Sequence, residues 1–131
     1  MKQVFDFLNE CGVFYIATID EDQPRVRPFG AINIFEDKLY IQTGKVKSFS
    51  KQIAKNPKVE ISAMKGRDIW IRVQAILVED NKVEARESML DKYPQLKSIY
   101  SVNDSNTQVF YLKDVVATIS SFTEPPIIIK F

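Results

Sequence analysis

Residues 69–80, IWIRVQAILVED, alternate in a way that limits what the chain can become. Successive side chains of a β-strand point to opposite faces, so this period of two places Ile69, Ile71, Val73 and Ala75 on one face and Trp70, Arg72 and Gln74 on the other. A long half-buried strand needs partners, and the rest of the chain offers them. VFYIATI (13–19) is rich in β-branched and aromatic residues, and EDQP (21–24) reads as a turn into RVRPFGAINIF (25–35), which predicts a hairpin. EDK (36–38) makes a tight turn into a third strand, LYIQT (39–43); a short fourth strand, KVEISAM (58–64), precedes the turn KGRD (65–68). VFYLKDVVATISSF (109–122) and PIIIKF (126–131) return as strands.

Helical spacing is confined to short segments. Val4, Phe5, Leu8 and Cys11 predict a helix over 2–11, with Gly12 in the C-cap position. Pro57 closes a lysine-rich helix, and residues 83–101 read as two short helices broken at Pro94. The expected architecture is mainly β, in the α+β class, with six or seven mostly antiparallel strands and three or four small helices. An antiparallel sheet of that size removes its edges by closing into a barrel.

With 131 residues the chain is expected to form one domain, 1–131, and its 45% hydrophobic and 27% charged residues are those of an ordinary globular protein. Eighteen basic against seventeen acidic residues leave a net charge of +1, too little to hold a polyanion, so no nucleic-acid partner is expected. Asp6 and Glu10 interrupt the apolar pattern of the N-terminus, and no run approaches the ~20 apolar residues of a membrane span, which predicts a cytoplasmic protein with no membrane association. A single cysteine excludes an internal disulfide and a cysteine-based metal cluster. The absence of histidine removes the commonest general base and most transition-metal sites. Chemistry performed by such a chain has to be imported with a cofactor.

The segment TGKVKSFSK (43–51) crowds Thr43, Gly44, three lysines and two serines where a strand hands over to a helix. Gly44 allows a tight turn, Lys47 and Ser48 stand near the helix start, and backbone amides at a helix N-terminus favour an anion. Lys47 and Lys51, four apart, share one side of a helix, while Phe49 and Ile53 mark the side toward the core. Ser48, Ser50 and Thr43 add neutral donors of the kind a phosphate monoester uses. The pattern reads as a phosphate cradle without the spaced glycines of a Walker loop, or else as a solvated basic helix face.

QPRVRPFGAINIFEDKLYIQTGKVKSFSKQIAKNPKVEISAM, followed by IWIRVQA and YLKDVVATISSF, resembles the pyridoxamine 5'-phosphate oxidase-like family, the FMN-binding split barrels, over nearly the whole chain. The resemblance implies a six-stranded antiparallel split β-barrel of Greek-key type with short peripheral helices. It implies FMN at a homodimer interface, the phosphate on segment 43–51 and the ring edge against the strand around Arg27, Pro28 and Phe29. The strand carrying Trp70 and Arg72 contributes to the flavin pocket in the family, often from the partner subunit. Read from the residues alone, Arg25 and Arg27 could equally decorate a barrel exterior, and Trp70 could be core. Apolar ends such as PIIIKF also suit a dimer.

A flavin brings its own electron transfer, which suits a chain without histidine. The family's vitamin-oxidising members complete their substrate pocket with an arginine- and histidine-bearing C-terminal extension, and its nitroimidazole-reductase-like members use a histidine; neither is present up to Phe131. The expectation is therefore an FMN-dependent oxidoreductase passing electrons from a nicotinamide or other reductant to a small-molecule acceptor. The alternative is a non-catalytic module that binds, stores or senses flavin, deazaflavin or haem.

Overall fold

The computed structural model describes Met1–Phe131. In chain order the elements are α1 (Lys2–Cys11), β1 (Phe14–Asp20), β2 (Gln23–Phe29), β3 (Ile32–Phe35), β4 (Lys38–Gly44), α2 (Ser48–Lys55), β5 (Lys58–Lys65), β6 (Ile69–Asp80), α3 (Val83–Lys92), a 3₁₀ turn (Pro94–Ser98), β7 (Thr107–Ser121) and β8 (Ile127–Lys130). The eight strands form one antiparallel sheet in the order β2-β1-β5-β6-β7-β4-β3, with β8 added to β7. Its hydrogen-bonded path is open, with β2 and β3 at the two ends. Those ends are neighbours in the chain, joined only by Gly30 and Ala31, so the sheet curls almost upon itself and leaves a split.

Eight strands replace the six or seven expected because segment 25–35 is two strands. β2 pairs with β1 alone, from Gln23↔Asp20 to Phe29↔Phe14, whereas β3 pairs with β4 alone. Pro24 and Pro28 have no N–H to give a second neighbour, which suits β2 to an edge. β7 is long enough to serve two partners along one side: its first part pairs with β4 through Thr107–Tyr111, and Val116–Ile119 pair with β8. β6 lies along its other side, and a register shift between Gln74 and Ile76 is matched on β7 by Asp114 at φ +52, the mark of a bulge that bends both strands.

The alternation in β6 does what a half-buried strand requires. Ile71, Val73, Ala75 and Leu77 point into the core, joined by Ile16, Ile61, Ile41 and Leu39 from neighbouring strands. Val4, Phe7 and Leu8 close one end of the core from α1, whose C-terminus is followed by Gly12 at φ +76, a conformation that only glycine adopts without strain. Phe49 and Ile53 enter the same core from α2. A smaller cluster of Tyr40, Ala85, Met89 and Val109 packs α3 on the opposite side of β4 and β7. There the Tyr40 hydroxyl donates to Asp80 Oδ2 at 2.7 Å, and Asp80 Oδ1 accepts the Lys82 amide just ahead of α3. No helix is long and apolar enough to cross a membrane.

Candidate functional site

A cavity of about 350 Å³ opens where the β2–β3 junction, the end of β4, the start of α2 and the segment after α3 converge. Arg27, Pro28 and Phe29 line it from β2, Gln42 and Thr43 from β4, and Lys47 with Phe49 from the entry to α2. Tyr93, Leu96 and Tyr100 form the remaining wall. Two cations lie on this wall and no carboxylate does. Ser48 and Lys51 line a separate cavity on the far side of α2, where Asp20 and Glu21 are also present.

That division changes the geometry expected of the lysines. Lys47 precedes α2 in extended backbone, φ −78° and ψ 150°, so it does not stand one helical turn below Lys51 on a common face. Lys47 lines the cavity beside the β2 residues, whereas Lys51 lines the other with Ser48 and Gln52. Lys45 borders a third, shallow cavity together with Arg86. None of the three lysines forms an ion pair. Ser50 is withdrawn from any cradle, since its buried hydroxyl donates to Gln108 Oε1 at 2.6 Å.

The turn from β4 into α2 is templated by a distant loop. Asn106 accepts the Lys45 amide on its carbonyl at 2.8 Å and the Val46 amide on Oδ1 at 3.2 Å, and the Lys47 amide donates to Gly44 O at 3.0 Å. Asn106 is itself held through Asp104, whose carboxylate accepts the Ser101, Asn106 and Thr107 amides. Desolvation opposes the ionised form of Asp104, but these amides and the Thr107 hydroxyl outweigh it and hold the carboxyl well below the usual range. The first amides left without a protein acceptor are those of Ser48, Phe49 and Ser50, because α2 has no side-chain cap and its first internal donor is Lys51.

Gly44 serves close packing here; its backbone is not left-handed. A Cβ at this position would lie 3.0 Å from Asn106 Nδ2, 3.2 Å from Asn106 Oδ1 and 3.3 Å from Tyr100 Cε1. Gly44→Val is expected to destabilise the protein by about 1–3 kcal/mol through overpacking and to release the 44–47 turn, read as a lower urea midpoint and weaker ligand uptake. An unchanged midpoint would contradict the packing role.

Arg27 is half-buried and its guanidinium lies over the Phe49 ring, 5.1 Å from the centroid. It donates to Ile16 O (3.1 Å), Thr18 Oγ1 (2.7 Å) and Gln52 Oε1 (2.7 Å), all neutral acceptors. Burial lowers its pKa and the neighbouring Arg25 charge adds to the effect. Arg25 does not line the cavity and pairs with Asp20 at 3.2 Å.

Gln42 escaped the sequence analysis. It lines the cavity, is only 7% exposed, and neither atom of its amide has a hydrogen-bond partner. A buried amide left in that state costs about 1–3 kcal/mol, which a ligand offering a donor and an acceptor would recover. Tyr93 lies in the stretch 83–101, whose pattern predicts only helices. Its hydroxyl instead accepts the Ile32 amide at 3.0 Å and donates to Ile32 O at 2.8 Å, which ties the wall after α3 to β3.

Trp70 and Arg72 are not at this cavity within one chain. They share the outward face of β6 with Met64, Ser62 and Ser120 in register, and Arg72 meets both carboxylate oxygens of Glu60 at 3.1–3.2 Å. Trp70 rests on Phe122, ring centroids 5.1 Å apart. Around them Tyr15, Met64, Phe122 and Ile128 are 49–76% exposed, an apolar surface on the side of the sheet away from the core.

Comparison with known proteins places this architecture. The family model for pyridoxamine 5'-phosphate oxidase matches residues 1–113. The chain is similar to a NimC/NimA family protein from Clostridium acetobutylicum, with 44% identity over 100% of this chain and 92% of that one and a TM-score of 0.96. General stress protein 26 from Bacillus anthracis (17% identity, 99% and 98% coverage, TM-score 0.73) shares the fold. So does a putative pyridoxamine 5'-phosphate oxidase from Listeria innocua (13% identity, 94% and 98% coverage, TM-score 0.69). No curated protein matches. With an open antiparallel sheet split between β2 and β3, and with the family pattern running through 113 of its residues, the chain belongs to the pyridoxamine 5'-phosphate oxidase-like family.

Proposed function

We propose that the protein is an FMN-binding oxidoreductase that acts as a homodimer. The observation that carries this reading is the cavity wall itself: Arg27 and Lys47 without any carboxylate, beside three helix amides that have no acceptor. Such a wall suits a dianionic phosphate monoester, because charge-assisted contacts and a helix N-terminus act together. The residues fit the whole group. Arg27 reaches α2 through Gln52, so we assign its guanidinium to the phosphate rather than to the ring edge, with Lys47 and the α2 amides completing the cradle; Ser48 lines the other cavity. Thr43 would form the adjoining floor, Pro28 and Phe29 would border the ring, and the unpartnered Gln42 amide would be available to its polar edge, while Gly44 lies behind this wall against Asn106 and Tyr100.

When bound, FMN supplies the redox chemistry that a chain without histidine lacks. The protein's part is to hold the ring, exclude water with Phe29, Leu96 and Tyr100, and admit a small-molecule acceptor, with a nicotinamide or other reductant as electron source. The exposed apolar face carrying Tyr15, Met64, Phe122 and Ile128 supports the dimer, and in this reading a second copy covers it, with Trp70 and Arg72 contributing to the partner's flavin site. Lys51, on the other side of α2, acts on the phosphate only through space.

The visible spectrum of freshly purified protein tests the cofactor. The expected result is flavin absorbance, or quenching of FMN fluorescence on titration; colourless protein that leaves FMN fluorescence unchanged would contradict the reading. Turnover with NADH or NADPH and a panel of acceptors then separates an enzyme from a binder, which would take up flavin stoichiometrically without turning over. A monomeric mass in solution would contradict the dimer.

A further inference from the structure

A guanidinium taken out of water is normally matched by a carboxylate, since an unpaired buried charge is costly. Arg27, half-buried at the cavity wall, has no such carboxylate. Its acceptors are a carbonyl, a hydroxyl and an amide oxygen, and no carboxylate pairs with it; Asp20, on the neighbouring strand, is engaged by Arg25. The three side chains form a closed triangle: Arg27 donates to Thr18 Oγ1 and to Gln52 Oε1, and the Thr18 hydroxyl donates to the same Gln52 oxygen at 2.6 Å. A guanidinium has five N–H groups, and three bonds to protein leave two for a ligand. Phe49 covers one face of the fork, which limits its rotation.

We infer that Thr18 and Gln52 are positioning residues that orient Arg27 with neutral acceptors and so leave its whole charge for the phosphate of the ligand. The inference rests on the flavin reading above and deepens it. Thr18 is 2% exposed and does not line the cavity, so any influence it has on a ligand passes through Arg27. Gln52 is the informative position because glutamate is nearly its isostere. A carboxylate there would bind Arg27 more strongly than the amide does, yet it would neutralise the charge that the site offers. Stability and ligand affinity are thus set against each other at one residue.

The test compares FMN with riboflavin, which lacks the phosphate, by fluorescence quenching, alongside thermal unfolding of each flavin-free variant. Gln52→Glu is expected to keep or raise Tm while weakening FMN by at least about tenfold and riboflavin by less than about threefold. Thr18→Val is expected to weaken FMN by about fivefold, and that loss should disappear in an Arg27→Met background, the mark of two residues acting as one unit. A merely structural role predicts no such loss for Gln52→Glu, because the acceptor is retained and FMN binding would be unchanged. That outcome, or equal losses for the two flavins, overturns the inference. Wild-type protein that binds neither flavin overturns the flavin reading and this inference with it.

Discussion

FMN affinity is expected to fall by about 3–6 kcal/mol, more than a hundredfold, when Arg27→Met and Lys47→Ala are combined, while riboflavin affinity stays within a few-fold. Each side chain is a cation on a cavity wall that carries no carboxylate, so each loses a charge-assisted contact worth about 1.5–3 kcal/mol. The two act on one phosphate, so the combined loss is expected toward the lower end of that range, at or somewhat below the sum of the single losses. Lys51→Ala serves as the internal comparison. It lies in a different cavity with Asp20 and Glu21, and its removal should weaken FMN by much less than that of Lys47. Fluorescence titration of the wild type, the two single variants, the double variant and Lys51→Ala with both flavins checks the assignment, and parallel losses for FMN and riboflavin would refute the phosphate cradle.

The second large effect belongs to the core. Ile71 is 0% exposed near the start of β6, paired with Ala63 of β5 and Ile119 of β7. Neighbours on both sides are fixed by ladder hydrogen bonds, so the space left by Ile71→Ala cannot collapse, and the expected destabilisation is about 2–5 kcal/mol. Against a typical total of about 5–15 kcal/mol, that is enough to leave a marginal protein. Urea unfolding should show a midpoint lower by about 1–3 M with the slope unchanged. Ile128→Ala offers the contrast: this residue is 61% exposed on the outward face, so it should change the stability of one chain by less than about 0.5 kcal/mol. If that face joins two copies, as proposed, the same change appears instead in the dimer dissociation constant.

Several elements were legible from local pattern. The period of two in 69–80, the helical spacing in 2–11 with its glycine stop, and the proline that divides 83–101 each depend on residues within one or two turns of one another, and each element stands where the pattern put it. Segment 25–35 was not divisible in the same way. Its residues suit a strand throughout, and what breaks it is a change of partner, from β1 to β4, which no local pattern encodes. The lysines show the same limit. A spacing of four means a shared face only if both residues are helical, and Lys47 stops one residue short.

Gln42, Gln52 and Thr18 carry no signal of their own in a single sequence, since a polar residue in a strand or helix ordinarily faces water. Asn106 is equally silent, although it accepts two amides of a turn some sixty residues earlier in the chain.

What the amino-acid sequence determined alone is the kind of each element and the stock of chemical groups: strands and short helices, basic side chains after the third predicted strand, and no histidine. Periodicity and composition are local properties, so they can be read without knowing which segments meet. The tertiary structure decided which of those groups meet. Arg27 and Lys47 share a wall free of carboxylates, Arg72 is matched by Glu60, and Gln42 is left without a partner. The physical reason is that electrostatic and hydrogen-bond complementarity depend on distance in space, and only the packing of β1, β2 and α2 brings residues 18, 27 and 52 within 3 Å of one another.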